Sequence, residues 1–235
     1  MTVEAGAGVA GDGRTGPAAD GRTEPVTEVW WARIDQARDE FADDLDEVER
    51  GRLAAYLRDE DRARFLLGCT IVRRLLAARF LSPAAKVRLD RTCPDCGKPH
   101  GKVRADGVEL SVTHSGDLVG VAIGDHPVGL DVEKIDPGMD VDGVARMALA
   151  PEEVQELRRY DGIERVRAFT TYWTRKEAVV KATGDGLRTD LRRVAVPDGI
   201  QLQELAVGPD HRAALAVVCA EPPVVNVKDA SQLLI

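Results

Sequence analysis

Two long stretches of the chain carry apolar residues at helical spacing, and shorter stretches between them alternate with the period of a strand. Over residues 58–81 ("RDEDRARFLLGCTIVRRLLAARFL"), Phe65, Leu66, Cys69, Val72, Leu75, Leu76 and Phe80 recur every few positions, and Pro83 closes the run. Residues 163–184 ("IERVRAFTTYWTRKEAVVKATG") predict a second long helix that ends at Gly184 to Gly186. Shorter helices are expected at 44–57, at "VDGVARMAL" and at "APEEVQELRRY", where Pro151 and two glutamates favour a helix start. Strands are expected at 26–34, 86–90, 108–114, 118–124 and 128–134, with a loop over 91–107. "RRVAVP", "IQLQELAV" and "HRAALAVVCA" read as a further antiparallel set, and residues 221–235 form a tail without an assigned element.

The order strand, helices, strands thus occurs twice, with one long helix at matching places in each half. That predicts an α+β fold of two similar α/β subdomains related by a pseudo-twofold, each with a long helix packed on a small, mainly antiparallel sheet. The expected divisions are a disordered leader at 1–24, subdomains at 25–127 and 128–220, and the tail.

Composition narrows the classes. The 235 residues are 44% hydrophobic and 31% charged, which suits a globular chain with a real core. A net charge of −8 speaks against general nucleic-acid binding. The charge is uneven: Arg58–Asp106 holds twelve Lys/Arg against six acids, which suggests a local anion site or a set of solvated helix faces. No run reaches the length of a membrane helix, nothing resembles a signal peptide, and four cysteines suit a reducing compartment, so a cytoplasmic location is expected.

Four short segments carry candidate chemistry. In "GLDVEK", Asp131 and Glu133 stand two apart on an apolar strand and so share a face. Two adjacent carboxylates call for a cation, Mg²⁺ being the usual one, unless this is an ordinary alternating surface strand. In "YWTRKEAVVKATGDGL", Glu177 and Lys181 are four apart on one helix face, with Lys176 about 100° round the helix. They form either a surface ion pair or the second wall of a metal and polyphosphate site. In "SVTHSGD", His114 ends a strand between Thr113 and Ser115, whose hydroxyls and turn amides suit a phosphate. In "CPDCGKPHG", Cys93, Cys96 and His100 leave a zinc site one ligand short, while Lys98, His100, Lys102 and Arg104 form a basic loop.

In combination, "GLDVEK", "WTRKEAVVKATGDGL" and the upstream "SVTHSG" resemble the 4′-phosphopantetheinyl transferase superfamily, in its larger pseudo-dimeric form that activates carrier domains of peptide, polyketide and fatty-acid synthases. The resemblance covers residues 45–220, and "RFLLGCTIVRRLL" is similar to the family's first long helix. It implies transfer of 4′-phosphopantetheine from coenzyme A to a serine of an acyl or peptidyl carrier protein, with Mg²⁺ (or Mn²⁺) and release of adenosine 3′,5′-bisphosphate. It implies metal binding by Asp131, Glu133 and Glu177, and pyrophosphate contacts by Lys181, assisted by Lys176, and by His114 with Thr113 and Ser115. It further implies a coenzyme A contact by Lys102, or by Lys98 in the preceding "CGKP", and a 3′-phosphate contact by Arg58 and Arg64. Glu177 is the implied base for the serine proton, directly or through water, and Lys181 and His114 are the other catalytic groups. The partners implied are coenzyme A and an acidic, helical carrier domain, with no nucleic acid and no membrane. The internal repeat would let a monomer build the site between its halves. A coenzyme A-binding module without activity, and a Mg²⁺-dependent hydrolase of a small diphosphate, are the competing readings.

Overall fold

The computed structural model describes residues 24–93, 96–99, 101–186 and 189–235. Of the expected leader, only Glu24 falls among them, and so does the zinc set without His100.

Two small sheets stack face to face, and one long helix covers the outer face of each. The first sheet has the order β2-β3-β1-β7, from β1 (Val26–Arg33), β2 (Glu109–Ser115), β3 (Leu118–Gly124) and β7 (Val224–Asp229). β3 runs antiparallel to both β1 and β2, and β7 lies parallel to β1. The second sheet is an antiparallel set, β4 (Val128–Lys134), β6 (His211–Val218) and β5 (Ile200–Leu205), with β6 in the middle.

Side-chain alternation explains the layering. On β3, Val119, Val121 and Ile123 face the long helix α2 (Asp59–Phe80), while Leu118 and Ala122 face the second sheet. On β6, Leu215 and Val217 face the first sheet, while Ala214 and Ala216 face the other long helix, α5 (Gly162–Thr183). Small residues are required where α5 presses closest. A Cβ on Gly129 of β4 would overlap the Ala178 carbonyl and lie 2.9 Å from the Lys181 Cβ. The remaining helices, α1 (Glu47–Ala54), α3 (Val141–Ala148) and α4 (Pro151–Leu157), are short. α3 and α4 pack on the first half of α5 through Val141, Leu149, Leu157 and Phe169.

The predicted fold class matches this α+β architecture, and the spans expected for β3 and β4 coincide with the observed strands. Two expected strands are absent. Residues 86–90 form no strand, only a single bridge between Asp90 and Arg104. In "RRVAVP", Leu191–Arg193 make a turn of 3-10 helix. The tail, left without an element, supplies β7, which pairs with β1 from Val26 to Trp31.

The sheets are also joined edge to edge. β2 and β4 run side by side in the same direction but exchange no backbone ladder. Instead the amides of Leu130, Val132 and Lys134 donate to the hydroxyls of Ser111, Thr113 and Ser115 at 2.9, 3.1 and 3.0 Å.

The close approach at Gly129 sets a stability test. Gly129→Ala would drive α5 off β4 and is expected to lower the melting temperature by roughly 5–10 °C, from overpacking of about 2–3 kcal/mol. Thermal denaturation followed by circular dichroism checks this, and an unchanged midpoint would contradict the packing.

Candidate active site

A cavity of about 670 Å³ opens where the two halves meet. Its walls are α2 (Arg64, Phe65, Val72), β2 (Val112, His114) and α5 (Trp173, Glu177, Lys181), closed by Arg52 and Tyr56 on one side and Gly184–Gly186 on another. Each wall follows from local patterning. α2 and α5 turn their apolar stripes to their sheets and leave the flanks of those stripes facing each other.

β4 carries Asp131 and Glu133 on its α5 side, because Leu130 and Val132 occupy the core between the sheets. Asp131 is only 4% exposed. Its Oδ1 accepts from Lys181 Nζ at 2.6 Å and from the Thr113 hydroxyl at 3.3 Å, while Oδ2 is buried without a partner. Desolvation raises its pKa, opposed chiefly by the Lys181 charge. Glu133 accepts from the Ser115 hydroxyl at 2.7 Å. Desolvation raises its pKa too, with further upward pressure from Asp131 and Glu177. Glu177 lines the cavity from α5 and is raised by desolvation and then by Asp131. The three carboxylates therefore feel one another's charge, and Lys181 is their shared counter-ion. Its Nζ also donates to the Leu130 carbonyl at 3.1 Å.

His114 faces the same space. Desolvation lowers its pKa, and the positive charges of Arg64 and Lys181 lower it further, so the imidazole is neutral at neutral pH. An arriving anion would reverse that bias.

Other expected site residues are placed differently. Thr113 and Ser115 have their hydroxyls engaged on β4, between an amide and a carboxylate, rather than turned to open space. Lys176 is buried at 4% exposure and points away from the cavity. Its ammonium donates to the carbonyls of Leu191 and Val194 at 3.0 and 2.9 Å and pairs with Glu153 of α4 at 2.9 Å. The 100° offset from Glu177 decides this, because it sends the side chain to the other flank of α5. Arg58 is exposed at the start of α2 and does not line the cavity. Arg64 does line it, with Nε donating to the Gly116 carbonyl at 2.7 Å and a guanidinium pair to Asp61 at 2.7 Å. Lys102 reaches the cavity wall, but its ammonium donates to the carbonyls of Lys181 and Val128 at 2.8 and 3.2 Å, joining the end of α5 to the start of β4. Desolvation there lowers its pKa. Lys98 is exposed.

Sequence reasoning missed Arg52 and Arg91. Both line the cavity. Arg52 stacks its guanidinium over the Phe65 ring at 4.9 Å, beside Tyr56. Arg91 is held by the buried Glu49, which also binds the fully buried Arg73. Arg91 sits in the basic stretch that the charge count singled out; Arg52 lies before it and carries no motif.

Among the described residues, no group of three or more His, Cys, Asp or Glu is closed around a metal position. The oxygen-only donor set and the orphaned Asp131 Oδ2 nonetheless suit a hard divalent cation, which takes one or two carboxylates and completes its shell with water and phosphate. Among the described residues, no helix is long and apolar enough to cross a membrane.

Comparison with known proteins points the same way. Residues 127–216 match a family model described as the 4′-phosphopantetheinyl transferase superfamily. Over 165 residues the chain is 29% identical to the 4′-phosphopantetheinyl transferase HetI of Nostoc sp., covering 68% of this chain and 69% of that one. It is 28% identical over 188 residues to a 4′-phosphopantetheinyl transferase of Bacillus subtilis, covering 74% and 81%. It is 27% identical over 148 residues to the 4′-phosphopantetheinyl transferase Sfp of Bacillus subtilis strain 168, covering 63% and 64%.

Desolvation of Glu177, with repulsion from Asp131 added to it, has a measurable consequence. The folded-state pKa of Glu177 lies above its ordinary 4.5, so its ionisation costs stability once the pH exceeds that folded value and costs nothing well below 4.5. Glu177→Gln is therefore expected to raise the melting temperature of the metal-free protein at neutral pH, by about 2–4 °C. The gain should disappear as the pH falls through that window. Scanning calorimetry across pH checks it, and a variant less stable than wild type at neutral pH would overturn the assigned cost of ionising Glu177.

Proposed function

The chain belongs to the 4′-phosphopantetheinyl transferase superfamily and is an enzyme of that type, and from that premise we propose that it moves 4′-phosphopantetheine from coenzyme A to a carrier-protein serine with Mg²⁺ as its metal. The observation that carries this reading is the cavity between the halves. Its lining brings Arg52, Arg64 and Arg91, the rings of Tyr56, Phe65 and Trp173, and His114, Glu177 and Lys181 to one space. A nucleotide with a pyrophosphate and an apolar arm needs that set of chemistries.

Arg52, Arg64 and Arg91 supply positive charge for the phosphates of the nucleotide, and Tyr56 and Phe65 supply flat apolar surface. Lys181 and His114 face the pyrophosphate. His114, whose pKa is lowered by desolvation and by Arg64 and Lys181, gains affinity for a proton as phosphate approaches and then donates to it. Asp131, Glu133 and Glu177 would hold Mg²⁺, which when bound neutralises charge that develops on the leaving phosphate. The carrier serine oxygen forms a bond to the phosphorus that bears pantetheine. The bond from that phosphorus to the leaving oxygen breaks, and adenosine 3′,5′-bisphosphate departs. Glu177 takes the serine proton.

The carrier partner docks beside the second half. Met147 on α3 is 71% exposed, and Tyr160, just before α5, and Ile163, in its first turn, are 40% and 38% exposed. An apolar contact suits a partner that long-range charge does not attract, since this chain is itself acidic at −8.

Incubation with coenzyme A, Mg²⁺ and an apo-carrier protein, followed by intact mass, tests the reaction. One added phosphopantetheine unit is expected, none after chelation, and a loss of at least about 100-fold for Glu177→Gln or Asp131→Ala. Wild-type rates for either variant would refute the site. Coenzyme A turnover without an acceptor would identify a hydrolase. Binding without turnover would identify a ligand-binding module. Met147→Glu is expected to raise the KM for the carrier several-fold and leave that for coenzyme A unchanged; equal loss of both would rule out the docking face.

A further inference from the structure

The hydroxyls that join β2 to β4 are not equivalent. Ser111 only accepts, from the Leu130 amide at 2.9 Å. Thr113 accepts from the Val132 amide at 3.1 Å and donates to Asp131 Oδ1 at 3.3 Å. Ser115 accepts from the Lys134 amide at 3.0 Å and donates to Glu133 Oε2 at 2.7 Å. A hydroxyl has one proton, and at both positions the carboxylate receives it. Thr113 and Ser115 are thus tied at one end to a backbone that cannot move and at the other to a side chain that otherwise could. Thr113 is also buried, at 4% exposure, and does not line the cavity; its hydroxyl accepts a long contact from Lys181 Nζ at 3.5 Å. The spacing makes the pairing systematic. Each hydroxyl at position i of β2 meets the amide nineteen residues on, and the residue before that amide is Asp131 or Glu133 for two of the three.

We propose that Thr113 and Ser115 are positioning residues that aim the Asp131 and Glu133 carboxylates at the metal, and not contacts of the coenzyme A phosphates; this rests on the transferase reading above. With Oδ1 of Asp131 fixed by Thr113 and Lys181, the orphaned Oδ2 is the oxygen left to meet a cation. Loss of an orienting hydrogen bond behind a metal ligand typically costs 10–100-fold in metal affinity.

Thr113→Val keeps the shape and removes the hydroxyl, Ser115→Ala does the same at the other rung, and Thr113→Ser restores the donor. Ser111→Ala breaks the rung that touches no carboxylate. Two measurements separate the cases: the Mg²⁺ concentration for half-maximal transfer against the KM for coenzyme A, and Mn²⁺ binding to the free protein by electron paramagnetic resonance, which needs no turnover. Thr113→Val and Ser115→Ala are expected to raise the half-saturating Mg²⁺ and the Mn²⁺ Kd at least tenfold, with the coenzyme A KM at saturating Mg²⁺ within twofold. Thr113→Ser should stay within about threefold of wild type. Ser111→Ala should lower the melting temperature and leave metal affinity within twofold. A raised coenzyme A KM with unchanged metal affinity would make Thr113 and Ser115 phosphate ligands and overturn the proposal. So would an equal metal defect in Ser111→Ala, which would reduce the effect to loss of the seam, or a failure of Thr113→Ser to restore affinity. A wild-type protein that binds Mn²⁺ but transfers nothing would defeat the transferase reading alone, and the Mn²⁺ titrations would still decide the positioning roles.

Discussion

Strand β4 lies at an edge of its sheet, with one row of amides facing away from β6 and into the protein. Buried amides without partners are expensive, and here no backbone ladder is available to them. Three hydroxyls on β2 take that place. The rest of the site depends on the substitution. It holds the two sheets at a fixed offset, sets Thr113 against Asp131 and Ser115 against Glu133, and leaves His114, between them, pointing to the opposite face of β2. There it meets the cavity bounded by α2 and α5. A backbone ladder would have closed the same gap but would have supplied no hydroxyl protons to the carboxylates.

The electrostatics follow from that placement. Three carboxylates gathered in a half-desolvated cleft repel, and all three have raised pKa values with desolvation as the leading cause. Lys181 offsets part of this through Asp131. Raised carboxylate pKa values mean that ionising these groups costs stability, a common feature of functional sites. On the far side of the cavity the balance is the reverse. Glu49 and Arg73 are fully buried, and Arg91 is drawn to the same carboxylate, so α1, α2 and the start of the 91–107 loop are locked into one corner. Breaking one partner of such a network leaves a buried charge, a cost of about 3–5 kcal/mol. That corner fixes where Arg52 and Arg91 stand.

Much of this was legible along the chain, and the exceptions share a cause. Long periodic elements such as α2, α5, β3 and β4 are set by local patterning, because one apolar face over several turns or alternations admits few arrangements. Residues 86–90 have strand-like composition but form only the Asp90–Arg104 bridge, since no neighbouring strand is there to pair with them. Residues 224–229 have three valines and a partner, β1, some two hundred positions away, which no local pattern could announce. Lys176 and Lys181 look alike in sequence. One is enclosed by two carbonyls and Glu153, and the other meets Asp131, because helix phase sends them to different flanks of α5.

The amino-acid sequence by itself determined which faces of the elements are apolar, and hence the α+β class, the two long helices and the shared face of Asp131 and Glu133. It also placed an acid and a lysine one turn apart on α5. These are consequences of periods of two and 3.6, which act over a few residues. Only the tertiary structure decided that Thr113 and Ser115 stand behind the carboxylates, that Lys102 joins the end of α5 to β4, and that Arg52 and Arg91 complete the cavity. Each of those outcomes depends on which group was left to satisfy a particular amide, carbonyl or buried charge once the layers had packed, and that is settled by long-range contacts rather than by neighbours in the chain.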